Sequence, residues 1–211
     1  MNWAACRARV ALVTVAHSNR GSGRLRVIET AIEGCLLLET AIFEDTRGWF
    51  LETYRQSPIG AVLGRPHRFS QGNHSRSKPG VLRGFHTEPW DKFVYVSRGM
   101  ALCVVADTRP DSPTFGKTAR FLLGDPPHHR HRVFLQKGLS NAFYCFTEVD
   151  YLNDVSEEFD PNNRGGVLWS DPFLGVEWPT AEPILSEKDA LLPTLKELYP
   201  DHPVFAVGLH A

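Results

Sequence analysis

The sequence predicts an all-β domain of the jelly-roll kind, with helices only at its margins. From Arg26 onward, short runs rich in Val, Leu, Phe, Tyr and Thr alternate with turn signals about every 8 to 12 residues. Turn-forming residues such as Lys78-Pro79-Gly80 separate these runs. Many antiparallel strands with almost no helix are typical of a β-sandwich or β-barrel.

The strands can be placed in chain order by their β-branched and aromatic content. They are predicted at residues 27–32, 35–40, 49–54, 68–75, 81–86, 92–98, 100–107, 117–123, 131–135, 142–150 and 151–158. A short helix is predicted at 57–63 and a longer one after Ser186. Ser186 can cap the first turn of that helix, with Asp189 three residues on. An apolar stripe would then follow, formed by Leu191, Leu192, Leu195 and Leu198.

The composition and length indicate how many domains the chain has and which partners it excludes. Its 211 residues, 42% hydrophobic and 22% charged, predict one globular domain over residues 26–211, and residues 1–25 are expected to form a flexible N-terminal extension. A net charge of -1 provides no overall attraction to nucleic acid or to a membrane, and no apolar run approaches the roughly 20 residues of a membrane span. Four scattered cysteines without a CxxC motif favour reduced thiols and a cytoplasmic location.

The stretch from Gly80 to Gly99 carries the most distinctive chemistry. It places Arg83, His86 and Lys92 within ten residues, on segments that read as strands. Two cations and a titratable base on one concave surface suit an anionic small molecule better than they suit a core. The sequence therefore predicts a site for an anionic substrate here.

Five runs carry a resemblance to a known family. The runs are FEDTRGWFLETY, FSQGNHSRSKPGVLRGFH, ADTRPDSPTFGKTARF, GGVLWSDPFLGVEWP and LSEKDALLP. In this order they resemble the dTDP-4-dehydrorhamnose 3,5-epimerase family of the cupin superfamily, over about residues 26 to 195. The resemblance implies a cupin-type jelly-roll barrel with a short C-terminal helix.

Metal-binding cupins take their ligands from a His-x-His pair, a Glu and a later His. The corresponding positions here resemble His86-x-Glu88, Lys92 and Asn141. Three of the four ligands have changed, and the ammonium of Lys92 repels a divalent ion. No metal and no other cofactor are therefore expected. The interleaved cluster His128, His129 and His131 is interpreted as a solvated loop face.

The resemblance also implies a reaction and a substrate. Members of the family remove and return protons on the carbons beside the ketone of a 4-keto-6-deoxy nucleotide sugar, here expected to be dTDP-linked. The base resembles His86, which is paired with a carboxylate at the position of Asp189, and the group that stabilises the enolate resembles Lys92. A histidine suits the role of base because its unperturbed pKa is about 6.5.

Binding residues follow from the same resemblance. Arg83 is expected at the diphosphate, with Gln71 and Asn73 beside it. Arg47 and Glu52 are expected to reach the nucleotide from the other subunit of a homodimer. An ordinary exposed ion pair is the alternative interpretation of Arg47 and Glu52.

The sequence departs from the family pattern at two positions. A usual active-site histidine is Asn141, and the family's proton-donating tyrosine falls at Asn153 or, with a shifted gap, at Asp154. Because an amide is not a general acid, epimerisation at one carbon, C3 or C5, or slow exchange is expected rather than double inversion. Tyr151 lies two residues from Asn153 on the same strand face, so its hydroxyl or water is a candidate replacement.

Alternatives remain for the individual residues and for the whole chain. Asp189 would also be favoured near a helix start by the dipole and the cap alone, and Tyr151 would also suit core packing. A cupin that binds a nucleotide sugar but has lost turnover is the first alternative function. A metal-dependent cupin oxygenase or isomerase is the second, and the altered ligand positions argue against it.

Overall fold

The computed structural model describes residues 25–125, 130–163 and 165–206 of the chain. The predicted extension at residues 1–25 lies outside the described residues except for Leu25. His128 and His129 of the histidine cluster lie outside them as well.

Short antiparallel strands dominate the described residues. In chain order they are β1 (Leu25–Glu29), β2 (Cys35–Thr40), β3 (Ile42–Asp45), β4 (Gly48–Leu51), β5 (Gln71–Ser77), β6 (Leu82–Thr87), β7 (Lys92–Arg98), β8 (Met100–Asp107), β9 (Thr118–Gly124), β10 (Arg132–Leu135), β11 (Leu139–Cys145), β12 (Val149–Val155) and β13 (Gly165–Gly166). The helices are α1 (Gln56–Leu63), α2 (Glu187–Ala190), α3 (Leu195–Leu198) and α4 (Pro203–Ala206). No helix in these segments is long and apolar enough to cross a membrane.

The strands form two main sheets and one hairpin. A six-stranded sheet has the order β1-β2-β10-β7-β12-β5, and a five-stranded sheet has the order β13-β6-β11-β8-β9. The hairpin β3–β4 forms a separate two-stranded sheet. Neighbours in these sheets pair antiparallel. The predicted all-β jelly roll is confirmed.

The inner faces of the two sheets enclose the main core. Alternate residues of β7, Val94 and Val96, face Cys103 and Val105 of β8, and all four side chains are fully buried. Phe143 of β11 joins the same cluster. The two sheets thus pack face to face around an apolar core.

Both sheets are also covered on their outer faces. Helix α1 buries Ile59 against Phe93 and Phe134 of the six-stranded sheet. The C-terminal segment buries Leu195 against Leu82 and other residues of the five-stranded sheet. Burial of an aliphatic side chain of this size contributes about 1.5–3 kcal/mol relative to exposure. This packing holds the C-terminal segment against β6.

The C-terminal helix is shorter than predicted. Ser186 does cap α2, because its hydroxyl accepts a hydrogen bond from the Asp189 N–H. The apolar stripe, however, does not lie on one helix. Pro193 interrupts it because a proline lacks the N–H and disfavours helix at the preceding residue, and Thr194 starts α3 with its own capping box. Leu191 is consequently 83% exposed, whereas Leu195 is buried.

The predicted boundary between the last long strands is also wrong. The prediction places the break between residues 150 and 151, but the turn lies at residues 146–148, between β11 and β12. This turn contains no Gly or Pro. It is held by Thr147, whose hydroxyl accepts a hydrogen bond from the Met100 N–H at 2.9 Å. Strands β3 and β13 were not predicted.

Candidate active site

A cavity of about 430 Å³ opens between β6 and the segment before α2. We name it the histidine cavity. Its polar lining comes from Arg83, His86, Glu88, Ser186, Lys188 and Asp189. The structure thus brings the predicted base, its predicted carboxylate and the predicted diphosphate ligand to one cavity.

The imidazole of His86 is held by the carboxylate of Asp189. His86 Nε2 lies 2.8 Å from Asp189 Oδ1, and the second oxygen accepts a hydrogen bond from the Gly84 N–H at 3.2 Å. Burial raises the pKa of Asp189, but hydrogen bonds and charge from His86, together with the Gly84 N–H and Ser186, bring this pKa below its usual range. Because a carboxylate only accepts, Nε2 carries the proton and Nδ1 keeps a lone pair.

An irregularity in β6 lets Arg83 and His86 share this cavity. Regular alternation would turn residues 83 and 86 to opposite faces. Here His86 pairs with Asn141 and Arg83 pairs with Phe143, so three steps on β6 match two steps on β11. Gly84 lies within the bulge at a φ of 108°, and a Cβ there would lie 2.4 Å from the Asn141 carbonyl oxygen. The position therefore requires glycine.

Lys92 is buried at the end of β7 that approaches this cavity. Its Nζ lies 2.5 Å from Glu88 Oε2 and donates to Asn141 Oδ1 at 2.9 Å. Burial raises the pKa of Glu88, but the charge and hydrogen bond of Lys92 bring this pKa below its usual range. The sequence presented Glu88 only as a lost metal-ligand position, and it gave no sign that Glu88 would pair with Lys92.

Asn141 connects Lys92 to Tyr151. The Asn141 amide donates to the Tyr151 hydroxyl at 3.1 Å, and the Tyr151 ring stacks on Phe143 with centroids 4.0 Å apart. Tyr151 is only 3% exposed, and burial raises its pKa well above the usual value. Asn141, which was predicted to bind substrate, is not among the residues that line either the histidine cavity or the neighbouring cavity formed by Gln71, Asn73 and Asn153, and neither is Tyr151.

A second cavity of about 390 Å³ adjoins the first. We name it the amide cavity, because its lining includes the side-chain amides of Gln71, Asn73 and Asn153. Glu88 lines both cavities and so forms their shared wall. Gln71 Nε2 donates to Asn73 Oδ1 at 2.6 Å, and Asn73 Nδ2 donates to Asn153 Oδ1 at 2.9 Å. Gln71 and Asn73 thus lie in a different cavity from Arg83.

Arg47 and Glu52 lie away from both cavities. Arg47, in the turn of the β3–β4 hairpin, pairs with Asp45 at 2.5 Å, and Glu52 pairs with Arg55 at 2.6 Å. Neither residue lines the histidine cavity or the amide cavity of its own chain. The hairpin also exposes large apolar side chains, Phe43, Trp49 and Phe50.

The described residues contain no group of three His, Cys, Asp or Glu side chains that could hold a metal ion. The cysteines Cys35, Cys103 and Cys145 are buried free thiols. Burial raises the pKa of Cys35 and of Cys103 to about 12. These thiols are therefore poor nucleophiles.

The arrangement suits proton transfer beside a carbonyl group. It combines a histidine with a free lone pair, a carboxylate behind that histidine, and a buried ammonium close by. Arg83 and Lys188 add two cations at the cavity wall. Lys188 was not predicted, since it lies on a short helix with no pattern of its own.

The chain is similar to known proteins along most of its length. The model of the family described as dTDP-4-dehydrorhamnose 3,5-epimerase matches residues 29–197. The dTDP-4-dehydrorhamnose 3,5-epimerase of Salmonella typhimurium is 36% identical over 177 residues, which cover 81% of this chain and 96% of that protein.

Solved structures show the same fold. NovW, a 4-keto-6-deoxy sugar epimerase of Streptomyces spheroides, superposes with a TM-score of 0.80 at 34% identity, covering 86% of this chain and 92% of NovW. ChmJ, a 3'-monoepimerase of Streptomyces bikiniensis solved in complex with dTDP-quinovose, has a TM-score of 0.75 at 32% identity, with 81% and 89% covered. The cupin-type jelly roll is thereby confirmed. The chain belongs to the dTDP-4-dehydrorhamnose 3,5-epimerase family.

Proposed function

We propose that this protein is an epimerase that acts on a dTDP-linked 4-keto-6-deoxy sugar by removing a proton from a carbon beside the ketone. The observation that carries the proposal is the pairing of His86 Nε2 with Asp189 Oδ1 at 2.8 Å on the wall of the histidine cavity. This pairing leaves Nδ1 as the proton acceptor. Such positioned bases accelerate proton transfer by about 10²–10⁴-fold.

The three groups have complementary roles in the proposed step. His86 Nδ1 takes the proton from carbon, and Asp189 stabilises the imidazolium that forms. Lys92 stabilises the negative charge that develops on the ketone oxygen. An ammonium has three N–H donors, and Lys92 gives two of them to Glu88 and Asn141, so the third is left for this oxygen.

The cations at the cavity wall are assigned to the diphosphate. Arg83 uses its Nε to donate to Ser77 Oγ at 2.9 Å, which fixes the guanidinium and leaves its terminal nitrogens for phosphate oxygens. Lys188 lines the same cavity and adds a second positive charge. Gln71 and Asn73 line the adjoining amide cavity, beside the proposed position of the sugar nucleotide.

We infer that epimerisation takes place at one carbon, C3 or C5. Asn153, which the sequence resemblance aligns with the family's acid tyrosine, lines the amide cavity, and an amide N–H is too weak an acid to serve as a general acid. Tyr151 is buried and bonded to Asn141 outside both cavities, so water is the remaining source of a proton for the second face. ChmJ, described as a 3'-monoepimerase, is a relative named for a reaction at a single carbon.

We further propose that the protein acts as a homodimer in the cytoplasm. The hairpin β3–β4 exposes Phe43, Trp49 and Phe50, and its turn carries Arg47. A second subunit that covers these apolar side chains would bring Arg47 and Glu52 to the nucleotide bound by that subunit. The buried free thiols fit a reducing compartment.

Loss of turnover is a second candidate function, and Asn153 favours it. Both candidates predict binding of the nucleotide sugar, so hydrogen exchange separates them. The test is proton NMR in deuterated water with a panel of dTDP-linked 4-keto-6-deoxy sugars. Deuterium at one carbon with inverted product is expected. Deuterium and inversion at both C3 and C5 would contradict the single-carbon inference, whereas binding without any exchange would contradict the enzyme.

A further inference from the structure

The amide cavity holds three side-chain amides whose orientation is fixed from one end. The backbone N–H of Phe159 can only donate, and it donates to Gln71 Oε1 at 2.9 Å. Gln71 must therefore present its nitrogen to Asn73 Oδ1, at 2.6 Å. Asn73 in turn presents its nitrogen to Asn153 Oδ1, at 2.9 Å.

The direction of this relay determines what Asn153 offers to a ligand. Its oxygen is occupied by Asn73, so the group left over is the Nδ2 donor. Among the residues that the structure describes, none accepts a hydrogen bond from this nitrogen. Asn153 is partly exposed and lines the amide cavity. It is therefore a donor of fixed direction on the cavity wall.

Glu88 offers the complementary group on the wall shared with the histidine cavity. Its Oε2 is already paired with Lys92 Nζ and accepts from the Trp90 indole N–H at 3.0 Å. In the described part of the chain no donor reaches Oε1. The Lys92 ammonium keeps the Glu88 carboxylate ionised, so Oε1 can only accept.

A fixed donor and a fixed acceptor in one cavity match a hydroxyl group, which accepts and donates at the same oxygen. Two aromatic rings complete the wall, since Trp90 and Phe159 lie edge to face with centroids 6.4 Å apart. An apolar ring surface beside polar groups suits the C–H face of a sugar.

We propose that the amide cavity is a subsite for one secondary hydroxyl of the hexose, which accepts a hydrogen bond from Asn153 Nδ2 and donates one to Glu88 Oε1. Gln71 and Asn73 act as positioning residues that hold Asn153. The inference rests on the proposed nucleotide-sugar ligand. It changes the meaning of Asn153 from a lost acid to a group that selects the sugar.

The test measures binding to the full-length protein by titration calorimetry, with dTDP, a dTDP-linked hexose and its 2-deoxy and 3-deoxy analogues. Asn153→Asp keeps the size of the side chain and its acceptor for Asn73 but removes the Nδ2 donor. We expect this variant to bind the dTDP-hexose about 10-fold more weakly, the effect of one lost hydrogen bond, and to bind dTDP within about 2-fold of wild type.

The deoxy analogues identify the hydroxyl. For one analogue, wild type should lose about 10-fold more affinity than Asn153→Asp loses, because the variant already lacks one of the two hydrogen bonds to that hydroxyl. Asn153→Leu, which introduces neither a charge nor a donor, repeats the comparison, and Gln71→Glu tests positioning because it removes the donation to Asn73. Equal losses for dTDP and for dTDP-hexose, or no loss for either, would overturn the subsite.

The binding test of the subsite and the exchange test of the epimerase can fail independently. One outcome is that wild type catalyses no hydrogen exchange while Asn153→Asp still loses affinity for the dTDP-hexose and not for dTDP. In that case the subsite stands and the proposed epimerase activity is refuted. If wild type catalyses exchange but binds every analogue equally, the epimerase stands and the subsite is refuted.

Discussion

His86 and Asp189 are 103 residues apart in sequence, and their side chains meet at 2.8 Å. The C-terminal segment makes this contact because Leu195 anchors it on the outer face of the five-stranded sheet. The carboxylate is 6% exposed and the imidazole is 39% exposed, so Asp189 is buried while His86 faces the cavity.

Removal of either member of this pair should slow proton removal. We expect His86→Asn to reduce solvent exchange by about 10³-fold, the value of a positioned base. Asp189→Asn keeps an acceptor for the Gly84 N–H and should reduce exchange by about 10²-fold. The double variant should be no slower than His86→Asn alone, because the two residues act as a unit. A double variant that multiplies the two losses would contradict the pairing.

Introduction of a tyrosine at position 153 should restore a proton donor on the second face. We expect Asn153→Tyr to raise the ratio of inverted product to exchanged substrate, measured by proton NMR in deuterated water. Asn153→Phe is the matched control, since it has the same ring without the hydroxyl. Equal ratios in the two variants would show that the hydroxyl is not the missing acid.

Alanine at position 84 should destabilise the fold and the site together. The added Cβ would meet the Asn141 carbonyl oxygen at 2.4 Å in a backbone of positive φ, so we expect a loss of about 3 to 5 kcal/mol in the free energy of unfolding. Gly48→Ala is the control, because Gly48 also has a positive φ but no atom lies within 4 Å of the new Cβ. Its expected cost is about 1 to 2 kcal/mol. Urea denaturation measures the free energy of unfolding of the two variants. Equal losses in Gly84→Ala and Gly48→Ala would contradict the steric argument.

Shared sites between subunits can be tested by complementation. If Arg47 serves the site of the partner subunit, Arg47→Ala and His86→Asn each inactivate both sites of a homodimer. A mixed dimer then contains one site with both residues intact. Co-refolding of the two variants should recover activity, and each variant refolded alone should not. Absence of recovery in a dimer proven by light scattering would place Arg47 outside the site.

The buried His67 should make stability depend on pH near neutrality. Burial lowers the pKa of His67, against the charge of Asp91, while Arg65 lowers it further. The His67 imidazole therefore binds a proton more readily in the unfolded chain than in the folded protein. For this reason the free energy of unfolding should fall as pH falls below about 6.5. His67→Phe, placed among Phe69 and Phe134, should flatten the slope between about pH 7 and pH 5 in urea denaturation. An unchanged slope would exclude His67 as the source.

The strand pattern was sufficient to predict the fold but not all of its turns. Runs of Val, Phe and Tyr identify β7, and a run of Val, Leu and Ala identifies β8, since both faces of these strands are buried. The turn between β11 and β12 was misplaced because Thr147 holds it through a tertiary hydrogen bond rather than through a local turn signal. The hairpin strand β3 was missed because most of its residues are exposed.

The site was predictable where residues have distinctive chemistry. His86 and Asp189 were paired on the strength of the motifs, and the structure brings them together. Glu88 was not predicted, because its importance comes from lying on the wall between two cavities, a property of the tertiary structure. The direction of the amide relay was equally inaccessible, since it depends on the backbone N–H of Phe159.

The bulge at Gly84 has a consequence for how such a site can diverge. One peptide sets the spacing of Arg83 and His86 and donates its N–H to Asp189. The proposed roles of Arg83 and His86 and the orientation of the imidazole therefore depend on the same peptide. Asn153 is placed differently, because it lies in the amide cavity on β12 of the other sheet, where a substitution leaves this peptide unchanged. Specificity can change there while the catalytic strand keeps its shape.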